Sequence, residues 1–151
     1  MQAQMLAPAA VLVVWTLIVM VWMVPSRFGA IARLQDKSAL PAKPGVRGSD
    51  LEGVIPDRAN WPAHNHTHLH EQPTLFYAIA IIIAVIGAGP VDVLLAWIYV
   101  GLRIVHSLWQ MWVNTIPVRF ALFLLSAIAL AVLAVRAIAI TLFADPGAVP
   151  V

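Results

Sequence analysis

Four apolar stretches divide the chain, and one long polar segment separates the first from the second. The first stretch, residues 6–24, carries no charge and matches the roughly 20 apolar residues that a membrane-spanning helix needs. The other three predict helices over about 63–87, 91–113 and 118–143, joined by the turn-forming sequences G-A-G-P and N-T-I-P. The pattern therefore predicts an all-α membrane protein, one four-helix transmembrane domain over 1–151 with a long loop over 25–62.

Composition supports this class. Hydrophobic residues make up 62% of the chain and charged residues 11%, whereas soluble domains carry roughly 45–50% and about 25%. The net charge is only +2 and the sequence contains no basic cluster, so we expect membrane lipids around the chain and no nucleic acid as a partner. The absence of cysteine excludes disulfides, thiolate metal sites and cysteine nucleophiles.

The distribution of Lys and Arg predicts the orientation of the helices. The loop over 25–62 holds six of these residues, the turn between the second and third helices holds none, and Arg119 lies at the edge of the 114–118 loop. We therefore expect both of these loops to be cytoplasmic and both termini to lie outside.

Polar side chains of the third predicted helix lie along one line. At about 100° per residue they fall within about 80° of arc, opposite a face of Leu, Ile, Val and Trp: Asp92, Tyr99, Arg103, His106, Gln110 and Asn114. Because charge is costly in lipid, this polar stripe is expected to line a polar interior, a cleft or a subunit interface. Hydrogen bonds that simply hold the bundle together are the structural alternative.

The second predicted helix offers a matching face if it begins near Ala63. His64, Thr67, His68 and Glu71 then share one side. We expect this face to pack against the polar stripe, with an arginine as the partner of the Glu71 carboxylate.

Two arginines of the third and fourth helices, Arg103 and Arg119, are the candidates for that pairing. Arg136 lies about 25 Å along the fourth helix from Arg119 at 1.5 Å per residue. We interpret Arg136 as a structural residue that reaches the outer interface.

Four histidines alternate in the segment from His64 to His70. On a strand they would share one face and suggest a metal site. On a helix only His64 and His68 keep a chelating spacing, at i and i+4, so zinc remains an alternative to contact with a substrate or to a polar cap at the interface.

Three motifs of the chain resemble the MAPEG superfamily, the membrane-associated proteins in eicosanoid and glutathione metabolism. These are E-Q-P-T-L-F-Y at 71–77, A-W-I-Y-V-G-L-R-I-V-H-S at 96–107 and V-R-F at 118–120. The likeness covers helices two to four well, and helix one and the loop by layout alone. It is closest to bacterial-type members, so a bacterial inner membrane is the expected location.

The resemblance implies a homotrimer that binds glutathione between subunits near the cytoplasmic side, as a transferase or peroxidase for lipophilic substrates. Arg119 matches the arginine that activates the glutathione thiol and is the expected catalytic residue. The positions that match the family's glutathione-binding residues are His64, His68, Glu71, Arg103, His106 and Gln110. Among these, His64 and His68 stand where the family has Arg and Asn, and Gln110 stands where a tyrosine is common.

Two other functions stay open. The chain is alternatively a non-catalytic small membrane subunit that packs in, or stabilises, a larger membrane complex. It is also alternatively a metal- or haem-associated membrane protein that uses His64, His68 or His106. The changed helix-two positions favour these alternatives, whereas Glu71, Arg103 and Arg119 favour the enzyme.

Overall fold

The computed structural model describes residues 1–143, and the predicted C-terminal tail lies outside this range. Its helices are α1 (Gln2–Ala32), α2 (Asp57–Ile86), α3 (Pro90–Trp112) and α4 (Ile116–Leu142). All four are long and apolar enough to cross a membrane. The predicted all-α, four-helix membrane bundle is thereby confirmed.

The first two helices are longer than their predicted spans of 6–24 and 63–87. α1 continues to Ala32 and α2 already begins at Asp57, so that the connecting segment is 33–56 rather than 25–62. The loop proper is therefore shorter than the polar segment of the sequence suggests.

Tertiary hydrogen bonds hold these two extensions together. Pro25 removes one helical N–H from α1. Just beyond it, the Ser26 hydroxyl donates to the Ala59 carbonyl at 3.2 Å, and Arg27 Nε donates to Asn60 Oδ1 at 3.2 Å. These contacts offset the loss of one backbone bond, and α1 continues through the proline.

The short turns define the two ends of the bundle. The α1–α2 connection and the α3–α4 turn lie at one end, which we name the loop end, and the α2–α3 turn lies at the other, the turn end. Gly87 ends α2 with a φ of 143°, a region that side chains with a Cβ rarely adopt. Asn114 follows α3 with a φ of 57°, the left-handed conformation that asparagine tolerates best after glycine.

The segment 33–56 carries two short 3₁₀ helices, Lys37–Ala39 and Gly48–Leu51. The second is held by Asp50, whose carboxylate accepts the backbone N–H of Arg47 at 2.8 Å. This hydrogen bond lowers the pKa of the Asp50 carboxyl. Polar contacts of this kind order the loop although it buries little apolar surface.

The bundle has one apolar core. α1 contributes Met5, Leu12 and Val19, seven residues apart, and the other helices contribute side chains such as Phe76 and Leu133. Many large apolar side chains point away from this core and stay exposed, among them Val14, Leu125, Val135 and Ile138. Such a surface is unfavourable in water and suits lipid.

Candidate functional site

The polar stripe of α3 is buried, as its spacing predicts. Asp92, Tyr99, Arg103, His106 and Gln110 are each 3% exposed or less. Asn114, at the end of the stripe, is half-buried. The stripe therefore faces the interior of the bundle, and what matters is how each polar group is satisfied there.

At the turn end the stripe begins with a complete ion pair. Arg136 of α4 donates to both carboxylate oxygens of Asp92, through Nε to Oδ1 and through Nη2 to Oδ2 at 3.2 Å. The second oxygen also accepts the Gly89 backbone N–H at 2.8 Å. Arg136 is thus structural, as expected, but its partner Asp92 was missed. The sequence does contain a signal for this pair. α3 and α4 form a helical hairpin around Asn114, and Asp92 and Arg136 each lie 22 residues from Asn114, so they reach the same level of the bundle.

In the middle of the bundle, Gln72 of α2 joins three helices. Its side-chain oxygen accepts hydrogen bonds from Tyr99 of α3 and from Ser126 of α4, each at 3.5 Å. Phe76, one turn further along α2, stacks on the Tyr99 ring with centroids 4.5 Å apart. These contacts fix which face of α2 points inward.

Ser107 of α3 makes a second polar junction that sequence analysis missed. Its hydroxyl oxygen accepts hydrogen bonds from Trp15 Nε1 of α1 at 2.9 Å and from Asn65 Nδ2 of α2 at 2.5 Å. Ser107 lies next to His106 and is fully buried. Ser107 is not a residue of the stripe, but its contacts show that interhelical hydrogen bonds hold the bundle together next to it.

Towards the loop end the stripe contains buried polar atoms that the chain does not satisfy. Arg103 Nη2 donates to the carbonyl of His68 at 2.7 Å, but Nε and Nη1 have no hydrogen-bond partner among residues 1–143. The same holds for His106 Nδ1 and Gln110 Oε1. Within residues 1–143 no carboxylate lies within 4.0 Å of the Arg103 guanidinium. A buried donor without an acceptor costs about 1–3 kcal/mol, more when it is charged, so this end of the stripe is incomplete.

A cleft of about 200 Å³ lies beside these groups, between α2, α3 and the start of α4. The centroid of the His106 ring lies 6.2 Å from that of the His68 ring, in an edge-to-face arrangement, and 6.4 Å from that of the Phe123 ring. The Arg103 guanidinium lies 6.0 Å from the Phe123 ring. The residues around the cleft are His68, His106, Ile116, Arg119, Phe120 and Phe123. The wall formed by α2 and α3 is therefore polar, and the wall formed by α4 is apolar apart from Arg119.

Arg119 is the cation that lines this cleft. Its Nη1 donates to Asn114 Oδ1 at 2.6 Å, a neutral acceptor that orients the guanidinium, and no carboxylate of residues 1–143 lies within 4.0 Å of it. The left-handed conformation of Asn114 ends α3 and brings its amide under Arg119. The turn thus holds the arginine at the cleft.

Glu71 does not occupy the place that its helical face predicts. The inward face of α2 carries Asn65 and Gln72 instead, and the Glu71 carboxylate is 59% exposed. Its ion-pair partner is His68, at 2.8 Å. The predicted packing of Glu71 against Arg103 and His106 is therefore wrong, and the inward face is rotated by one position.

His64 lies apart from the cleft. Its Nε2 contacts Glu52 of the loop at 3.0 Å, in a separate polar pocket that includes Arg27 and Arg47. His64 and His68 are thus bound to different carboxylates. In the part of the chain that the structure describes, no three His, Asp or Glu side chains form a group that could hold a metal ion.

The comparison with protein families decides which family these features belong to. The model of the MAPEG family matches residues 5–139, which cover all of α2 and α3, most of α1 and α4, and every residue that lines the cleft. The chain belongs to the MAPEG family. No curated protein and no solved structure matches it. The resemblance carried by the three motifs is confirmed, and this MAPEG protein is an integral, multi-pass membrane protein.

Chemically, the cleft of this MAPEG protein suits an amphipathic anion. Arg119 offers positive charge and hydrogen-bond donors at the cleft, and the buried Arg103 adds a second positive charge behind the cleft lining. Arginine keeps its charge at any physiological pH. Phe120 and Phe123 offer apolar surface. Of the predicted site residues, the structure brings His68, His106 and Arg119 to the cleft, keeps Arg103 and Gln110 buried along the same stripe, and leaves Glu71 and His64 outside.

Proposed function

We propose that this MAPEG protein is a glutathione-dependent transferase or peroxidase that acts on lipophilic substrates at the cytoplasmic side of a bacterial inner membrane. The observation that carries the proposal is the incomplete end of the stripe. Arg103 Nε and Nη1 and His106 Nδ1 are buried without partners, next to a cleft where Arg119 has only a neutral one.

Glutathione fits these groups by its chemistry. It carries two carboxylates, and a carboxylate accepts hydrogen bonds from a guanidinium in a directed, charge-assisted way. A carboxylate bound in the cleft would pair with Arg119 and would lie close to the Arg103 charge, which has no carboxylate partner within residues 1–143. The free energy gained on binding would then include the relief of a desolvation cost that the unliganded protein bears.

Arg119 would activate the thiol. A cysteine thiol has a pKa of about 8.5 and is mostly protonated at neutral pH, while the thiolate is the nucleophile. A guanidinium beside the sulfur favours the thiolate and cannot give up its own proton. Asn114, which bonds Arg119 at 2.6 Å, would be a positioning residue.

The apolar wall of the cleft suits a second substrate that arrives from the membrane. Ile116 and Phe120 lie at the start of α4, and both are largely exposed on the lipid-facing surface. A lipophilic electrophile would reach the thiolate through this side without crossing water.

A homotrimer is part of the proposal. α2 carries His64, Thr67, Glu71 and Thr74 on one exposed face of a membrane-spanning helix. Polar groups are costly against lipid, so contact with another copy would shield them. Glu71 would then reach a ligand from the neighbouring subunit rather than from its own.

The non-catalytic subunit is the second candidate, and the position of His64 favours it. His64 stands where the family has an arginine, yet it pairs with Glu52 of the loop and lies outside the cleft. In that case the exposed polar face of α2 would contact a different membrane protein within a larger complex.

Isothermal titration of the detergent-purified protein with glutathione tests the choice, with Arg119→Lys and the control Arg58→Lys. We expect wild type and Arg58→Lys to bind and Arg119→Lys to lose binding at least tenfold, because lysine lacks the planar fork. Full binding by Arg119→Lys would reduce Arg119 to an interfacial anchor. No binding by wild type, together with a native mass near one 16.4 kDa protomer, would overturn both the enzyme and the trimer.

A further inference from the structure

A second and larger cavity lies at the loop end, on a different set of residues from the cleft. It encloses about 540 Å³ between the end of α1, the start of α2 and the end of α3. Its lining includes Trp22, Gly29, Arg33, Arg58, Met111 and Trp112. It shares no lining residue with the cleft at Arg119.

One side of this cavity is apolar and is formed by two tryptophans that are each about half exposed. Trp22 of α1 and Trp112 of α3 meet edge to face, with ring centroids 5.9 Å apart. The buried side chain of Met111 lies beside them. Gly29 supplies an open wall, since a Cβ placed there would meet no atom within 4 Å. Such a slot suits a hydrocarbon chain.

The mouth of the cavity is positively charged. Arg33, just past the end of α1, and Arg58, in the first turn of α2, both line it and are exposed. Among the described residues neither arginine has a carboxylate within 4.0 Å. Arg58 is held over the Trp61 ring at 6.0 Å. The cavity thus has apolar side chains on one side, at Trp22 and Trp112, and two cations on another, at Arg33 and Arg58.

The spacing of these parts matches the profile of a bilayer. Trp22 and Arg33 are separated by about 16 Å along α1 at 1.5 Å per residue, which is about half of the roughly 30 Å hydrocarbon core. Trp22 therefore lies at the depth of the acyl chains if Arg33 lies at the headgroups, where basic residues attract anionic lipids.

We propose that this cavity binds an anionic phospholipid, with one acyl chain lying along the Trp22–Trp112 pair beside Gly29 and the phosphate between Arg33 and Arg58. The site would anchor the extended end of α1 and the loop to the membrane surface. It does not depend on the proposed glutathione chemistry, because the two sites have no lining residue in common.

Native mass spectrometry tests the headgroup part of the proposal. The full-length protein is delipidated and offered phosphatidylglycerol or phosphatidylcholine with identical acyl chains. We expect wild type to retain phosphatidylglycerol at least fivefold more than phosphatidylcholine. Arg33→Gln/Arg58→Gln should lose this preference, and the control Lys37→Gln/Lys43→Gln, which removes the same charge from the loop, should keep it. Equal loss in both variants, or no preference in wild type, would overturn the proposal.

The proposed position of the acyl chain is tested by filling the cavity next to Gly29. Gly29→Leu should lower retention of both lipids severalfold, because its side chain would occupy the open wall. The matched control is Gly101→Leu, since Gly101 is also helical with no atom within 4 Å of an added Cβ, but lies on the exposed face of α3 away from the cavity. If Gly29→Leu retains both lipids as well as wild type does, the proposed position of the acyl chain is wrong. Unchanged glutathione binding in both variants would show that the two sites are separate.

Discussion

The two ends of the α3 stripe solve the same problem in different ways. At the turn end, the Asp92 carboxylate is buried and accepts hydrogen bonds from the Arg136 guanidinium and from the Gly89 backbone N–H. Towards the loop end, Arg103 is equally buried, but in the described part of the chain only the carbonyl of His68 accepts a hydrogen bond from it. One charge is paired within the subunit, and the other is not.

This difference indicates that the charge at the turn end of α3 stabilises the bundle, whereas the charge towards the loop end is available for a ligand. A buried charge that is fully paired is part of how α3 and α4 pack. A buried charge left unpaired lowers stability, and proteins keep such groups mainly where a ligand uses them. The comparison therefore predicts that mutations at the two ends have opposite consequences for stability and binding.

The largest loss of stability is expected at the turn end. Asp92→Ala removes the Arg136 pair and the bond to Gly89, which should lower the free energy of unfolding by about 2 kcal/mol, because charged hydrogen bonds of the buried carboxylate are lost although the Arg136 side chain is 40% exposed. Asp92→Asn, which keeps an acceptor for Gly89, should cost less. Unfolding in mixed micelles of increasing SDS content measures both. A loss below about 1 kcal/mol for Asp92→Ala would mean that the pair is not structural.

A smaller loss is expected at the Ser107 junction between the two ends. Ser107→Ala leaves Trp15 Nε1 and Asn65 Nδ2 without their acceptor. Interhelical hydrogen bonds in membranes average about 0.6 kcal/mol each, so the loss should be about 1 kcal/mol. The control is Thr141→Ala, because the Thr141 hydroxyl bonds only to carbonyls of its own helix. Equal effects of the two substitutions would contradict the junction.

The smallest effect is expected for Glu71→Gln. The pair between Glu71 and His68 is half-exposed, and such pairs contribute at most about 0.5 kcal/mol. Glu52→Gln, which loosens the equally exposed pair with His64, is the matched control. In dilute detergent both should behave alike in unfolding experiments. A much larger loss for Glu71→Gln, with a smaller native mass, would instead indicate that Glu71 is buried between copies.

The sequence predicts the fold well because uncharged apolar runs and glycine–proline turns define membrane helices directly. It predicts the extensions poorly. α1 continues past Pro25 because Ser26 and Arg27 bond to Ala59 and Asn60, and contacts between segments 33 residues apart leave no local pattern.

The site is predictable on α3 and less so on α2. On α3 the polar residues form one narrow stripe against an apolar background, so the buried side is unambiguous. On α2 polar residues occur all around the helix over 64–72, and the exposed Glu71 face resembles the inward Asn65 and Gln72 face. Only the partners, Ser107 and Tyr99, decide which face is buried.

The most direct test of the comparison is the unfolding free energy of Arg103→Met with and without glutathione. Methionine fills a similar volume without a charge, so we expect the unliganded variant to be at least as stable as wild type. Saturating glutathione, at about 100 times its Kd, should stabilise wild type by about 2.7 kcal/mol and Arg103→Met not at all. If Arg103→Met is destabilised as much as Asp92→Ala, or still gains stability from glutathione, Arg103 is a structural residue and the account of the incomplete end is wrong.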